Sequence, residues 1–137
     1  HVYGGVMSEI FVDTIKNKAG STSLDSDKLP DMYSGSAKMW ANLNGQGTIS
    51  LRDSFNVSST TDLATGKYTF TFTNAFADTN YSSPSAAADS TGGAFRGALP
   101  HDGDNVATTN YMIRIDNSSS TSVDGEYIHT ATFGDLA

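Results

Sequence analysis

The residues best equipped for chemistry fall in one irregular stretch, Asp89 to Asn105, DSTGGAFRGALPHDGDN, where Phe95, Arg96, His101, Asp102 and Asp104 stand among glycines. An aromatic ring flanked by carboxylates and a guanidinium suits a sugar: the ring stacks on the apolar face of a pyranose while the charged groups bond its hydroxyls. Asp102-Gly103-Asp104-Asn105 is rich in hard oxygen donors, but it lacks the glutamate and spacing of an EF-hand loop, so no metal is assigned to it. His101 has neither a carboxylate nor a nucleophile at a spacing that would make it a catalyst. His129 sits within an alternating segment, where a hydrogen-bonded structural histidine is the expectation.

No catalytic constellation accompanies these residues. The chain has no Gly-x-Ser-x-Gly elbow, Walker loop, His-Glu-x-x-His or dinucleotide fingerprint. A glycosidase would need two carboxylates about 5 to 9 Å apart, and pairs such as Asp53 with Asp62 are not placed that closely by sequence. Most acids sit in turn-like segments, where Asp bonds its own backbone. The expectation is therefore a protein that is not an enzyme and carries no cofactor. Eight Lys and Arg against 15 Asp and Glu give a net charge of −7, which repels phosphate backbones and anionic lipid and argues against nucleic acid as a partner. No run approaches the ~20 apolar residues that cross a bilayer, so membrane insertion is not expected. With no cysteine, disulfides and thiolate metal sites are excluded.

The elements that would position such residues read as strands. In Met39-Trp40-Ala41-Asn42-Leu43, one face holds Met39, Ala41 and Leu43 and the other Trp40 and Asn42. Asn44-Gly45-Gln46-Gly47 offers a tight reversal, Ile49 and Leu51 restart the alternation, and Arg52-Asp53-Ser54 marks a bulge or bend at which Arg52 and Asp53 could pair. Val57 to Thr65 reads as a polar connection, with Asp62 and Gly66 as turn residues. Lys67 to Thr73 is the strongest strand, with Tyr68, Phe70 and Phe72 on one face and threonines on the other. Tyr81 onward is a strand confined to an edge by Pro84. Thr109 to Asp116 and Glu126 to Phe133 complete the set.

Roughly six to eight short strands separated by turn residues predict an all-β fold, an antiparallel β-sandwich with an extended N-terminal arm. The organisation expected is an arm and linker over 1–37 and a sandwich over 38–137. Its core is expected to include Trp40, Phe55, Tyr68, Phe70, Phe72 and Phe133. Ser8 to Lys16 fits either a strand or a short helix, too sparsely apolar to stand alone, so Ile10, Val12 and Ile15 are candidate assembly contacts. Lys18 to Ser36 reads as a linker in which Pro30 blocks any helix.

Lys38, Trp40, Asn42, Asn44 and Gly45, then Arg52 to Ser59, then Gly66, Tyr68, Thr69 and Phe72, and finally Asn80 and Tyr81, form an ordered series. That series resembles a recurrent module of tailed-bacteriophage virion proteins, often of tail-fibre type, and Ser8 to Gly20 is similar to a segment preceding many phage appendage domains. The resemblance covers about a third of the chain closely. It implies a structural protein located in the virion, on the tail or the capsid surface. Its partners would be itself, as a homotrimer, other virion proteins and host surface polysaccharide. A head decoration protein and a free-standing carbohydrate-binding module are the alternatives.

Overall fold

The computed structural model describes residues 14–16, 23–25, 29–89, 96–99 and 106–137. The chain divides into two compact units, His1–Gly35 and Ser36–Ala137, two residues from the boundary expected. In the first unit β1 (Thr14–Lys16) pairs antiparallel with β2 (Ser23–Asp25), Ile15 opposite Leu24, so this part of the arm is strand. Ile10 and Val12 lie outside the described residues. The short helix α1 (Leu29–Gly35) corrects the linker reading. Pro30 is its second residue, in the first turn, where the missing N–H would have had no partner and the fixed φ is already helical.

The second unit is the β-sandwich. One sheet has the order β4-β3-β10-β7 and the other β5-β6-β9-β8, all neighbours antiparallel. The strands are β3 (Met39–Asn44), β4 (Ser50–Phe55), β5 (Val57–Ala64), β6 (Lys67–Phe72), β7 (Ser85–Ala88), β8 (Gly97–Leu99), β9 (Asn110–Asp116) and β10 (Tyr127–Thr132). β5 corrects the expected polar connection: Asp62 is within the strand, and only Gly66, at φ +69°, turns the chain. β5 reads as a loop because it is an edge strand held by its ladder to β6, with most side chains in solvent.

Period-two alternation decides what is buried. β6 contributes Tyr68, Phe70 and Phe72, β9 Tyr111, Ile113 and Ile115, β3 Met39, Ala41 and Leu43, and β10 Ile128. Phe76 closes one end, 4.9 Å from the Phe72 ring and 4.7 Å from Tyr81. Burying this much aromatic and aliphatic surface is the main stabilising term. The expected core is wrong at three positions: Trp40 is 38% exposed, Phe55 is 53% exposed and Phe133 is only half-buried. Once Met39, Ala41 and Leu43 face inward, the pleat turns Trp40 and its cross-strand neighbour Phe55 outward.

On β10 the inward residues are Ile128, Thr130 and Thr132, and Tyr127, His129, Ala131 and Phe133 take the other side. Two buried threonines are tolerated because each hydroxyl has partners. Thr130 bonds the Tyr111 hydroxyl and accepts from Ser85 at 3.0 Å; Thr132 pairs with Ser83 at 3.0 Å. This hydroxyl chain ties β10 to β7 within its sheet and to β9 across the core.

One residue joins the two sheets at their shared corner. β4 ends at Phe55 and β5 begins at Val57, so the chain changes sheets at Asn56, whose φ is +57°. Asn tolerates that conformation better than most residues. Its side chain fixes the corner by donating to Lys38 O (2.9 Å) and Asn74 O (3.1 Å) and accepting from Asn74 N (2.7 Å).

Candidate functional site

The outer face of the β4-β3-β10-β7 sheet gathers three exposed aromatic side chains, Trp40, Phe55 and Tyr127. Its register sets them in rows. Phe55, Trp40 and Ala131 lie side by side across three strands, and Asp53, Asn42, His129 and Ala86 form the next row across four. Tyr127 stands opposite Ala88 one row further on. Directly opposed residues have Cβ atoms about 5 Å apart, so a polar row is bordered by aromatic rings on both sides.

The small residues of β7 and its approach turn this face into a groove. Pro84, Ala86 and Ala131 are short while Trp40, His129 and Phe133 are tall, and between them opens a depression of about 620 Å³, also lined by Asn42 and Ser85. The depression is shallow and open to solvent along the sheet, not an enclosed cavity. The lining is mostly apolar, with polar side chains from Asn42 and His129, while the Ser85 and Thr130 hydroxyls bond each other on the core side of the sheet. His129 is thus an exposed groove residue, where a structural histidine was expected.

One side of the face is held rigid by Arg52. The ladder pairs Asn42 with Asp53 but Leu43 with Leu51, so Arg52 is the extra residue of a β-bulge, at the bend the sequence indicates. Its guanidinium donates to Glu126 O (2.6 Å), Leu43 O (3.2 Å) and Asn42 Oδ1 (3.4 Å), and lies 4.4 Å from the centre of the Tyr127 ring. Its carboxylate partner is Glu126, at 3.9 Å, and not the adjacent Asp53 that the sequence suggests. Asp53 instead accepts from Ser54 N at 2.8 Å. The bulge therefore sets Arg52 against the Tyr127 ring and within 3.4 Å of Asn42 Oδ1.

Of the contact residues expected in the Asp89 to Asn105 segment, only Arg96 is described. Phe95, His101, Asp102 and Asp104 lie outside the described residues. Arg96 donates to Asp89 Oδ2 at 2.7 Å, and their side chains are only 14% and 10% exposed. Asp89 also accepts from Gln46 Nε2 at 3.3 Å, so this cluster ties the segment beside β8 to the β3–β4 turn. Among the described residues no group of three or more His, Asp or Glu is placed to hold a metal ion.

Trp40, Asn42, His129 and Phe133 are brought together by β3 and β10, a pairing separated by most of the chain's length. Sequence inspection singles out Trp40 and His129 separately but does not join them. The signal that could have joined them is alternation: each lies on the face opposite a run of residues fit for the core.

No family model, no curated protein and no solved structure matches the chain.

Proposed function

We propose that this chain is a structural protein of a tailed-bacteriophage virion, a tail fibre or tail appendage subunit that works by attachment or host contact. The observation that carries the contact role is the sheet face just described, where exposed rings and a polar row stand on strands whose other side is core. Recognition is most precise on a scaffold that does not move when the partner arrives. The virion placement rests on the ordered series from Lys38 to Tyr81 and on the segment before it.

In this reading the sandwich presents the contact surface and the N-terminal unit supplies assembly, with the chain forming a homotrimer or docking on another virion protein. Several copies per particle would raise a weak individual contact to useful avidity. Gold-labelled antibody against the sandwich, applied to intact particles, tests the placement. Label on the tail is the expected result. Label over the capsid shell would make it a head decoration protein, and unlabelled particles that contain no such chain by mass spectrometry would overturn the virion reading.

A further inference from the structure

We propose that the groove on the β4-β3-β10-β7 sheet is a binding site for a neutral pyranose-containing glycan, with Trp40 and Phe133 as stacking surfaces and Asn42 and His129 as hydrogen-bonding groups. The inference deepens the contact reading above and rests on it for its biological setting. It moves recognition from the Asp89 to Asn105 loop to a rigid sheet face.

The composition of the face decides between its possible occupants. A protein partner, including a second copy of this chain, covers a surface best when the centre is apolar and the rim polar. Here the order is reversed: Asp53, Asn42 and His129 run through the middle, with Trp40 and Phe55 on one side and Tyr127 on the other. A pyranose has the matching chemistry, since its axial C–H face is apolar and its equatorial rim is a ring of hydroxyls. The hydroxyls can donate and accept, and so can a carboxamide and a neutral imidazole. An aromatic ring offers a flat apolar surface at little entropic cost.

Geometry adds two constraints. The groove is open along the sheet, and the short side chains of Pro84, Ala86 and Ala131 line it beside Asn42 and His129. Arg52 Nη1 reaches Asn42 Oδ1 at 3.4 Å, a long contact that biases the carboxamide towards the bulge before any ligand arrives. Charge sets the third: the chain carries −7 overall and Asp53 stands in the polar row, which disfavours uronic or sialic acids and leaves neutral hexoses.

Trp40 is the only tryptophan, so its fluorescence reports directly on this groove. The test is a titration of the full chain with neutral gluco-, galacto- and manno-oligosaccharides while Trp40 emission is followed. The expected result is a saturable change with at least one series. Asn42→Ala and His129→Ala should each weaken it about tenfold, one such step corresponding to about 1.4 kcal/mol. Leu63→Ala, an exposed residue on β5, should leave it unchanged, and circular dichroism should show all variants folded. No response to any series, or a response of equal strength in both groove variants, overturns the inference. Emission that changes on dilution of the protein alone, together with a fall in mass by light scattering, would assign the face to a subunit interface and overturn it equally. Particle labelling separates the two proposals: labelled tails with no saccharide response sink the groove alone, whereas saccharide binding without labelled particles upholds the groove and removes the virion.

Discussion

Tyr68 shows how one side chain can fasten three separate pieces of backbone. Its ring is fully buried in the core, and its hydroxyl donates within reach of Gly45 O and Asp124 Oδ1, both at 2.8 Å. The same Asp124 oxygen accepts from Gly66 N at 2.8 Å, so the β3–β4 turn, the β5–β6 turn and the segment before β10 meet at one point. Tyr68→Phe keeps the ring and takes the hydroxyl from the buried Gly45 O, while Asp124 Oδ1 keeps its bond from Gly66 N, and should cost about 1 to 3 kcal/mol in urea unfolding. The tyrosines also set an alkaline limit. Burial pushes the Tyr81 phenol up to about 12, and raises Tyr68 and Tyr111 in the same direction, with Asp124 adding to the effect at Tyr68. Their unfolded counterparts ionise near 10. Above that pH the unfolded chain loses protons that the folded one retains, so stability is complete below pH 10 and falls as pH rises through the folded values. A urea midpoint that stays constant from pH 9 to pH 11 would contradict this. Phe70→Ala, at a fully buried position, should cost about 3 to 5 kcal/mol, whereas Trp40→Ala should cost about 1 kcal/mol or less.

The elements differ in how openly the sequence declares them, and the differences have physical causes. β6 was fully legible, because three aromatics alternating with threonines leave one choice of inner face. β3 was legible as a strand but not in its burial: it carries large apolar residues on both sides, and the choice between Trp40 and Met39 is made by what β10 and the opposite sheet bring, which no local pattern contains. β10 misled in the same way, since threonines look like an outer face until Tyr111, Ser83 and Ser85 are seen to satisfy them. The groove inherits that difficulty, being made from the outer sides of both strands. Turns were readable where glycine is obligatory, and two of them make a contrasting pair. A Cβ on Gly66, at φ +69°, would meet Ile115 O and Val123 O at 2.7 Å, so Gly66→Ala should cost about 3 kcal/mol or more, or prevent folding. Gly47, at φ +63°, has open space around it, and Gly47→Ala should cost only about 1 kcal/mol from backbone strain. Thermal unfolding of the two variants side by side measures the difference; equal losses would mean the Gly66 turn relaxes.

At the scale of the molecule, the core cluster among the described residues lies in the second unit, from Met39 to Ile128 with Leu136 packed against it. A fragment of residues 36–137 should therefore unfold cooperatively at nearly the midpoint of the full chain. If the first unit is the assembly element, the same fragment should scatter light as a monomer while the full chain gives a trimer mass. A trimeric fragment would move assembly into the sandwich. The sandwich is also guarded against its own edges. β4 carries the Arg52 bulge, and β5 is irregular at two places, between Val57 and Ser59 and between Asp62 and Ala64. β7 follows a proline, β8 is three residues long, and the Asn56 corner bends the chain between the other two edge strands. A flat, regular edge would invite a strand from another copy and begin a growing cross-β stack. An assembly that holds many copies shoulder to shoulder concentrates them far beyond what solution would, and edges this irregular offer a neighbouring copy little ladder on which to build a fibril.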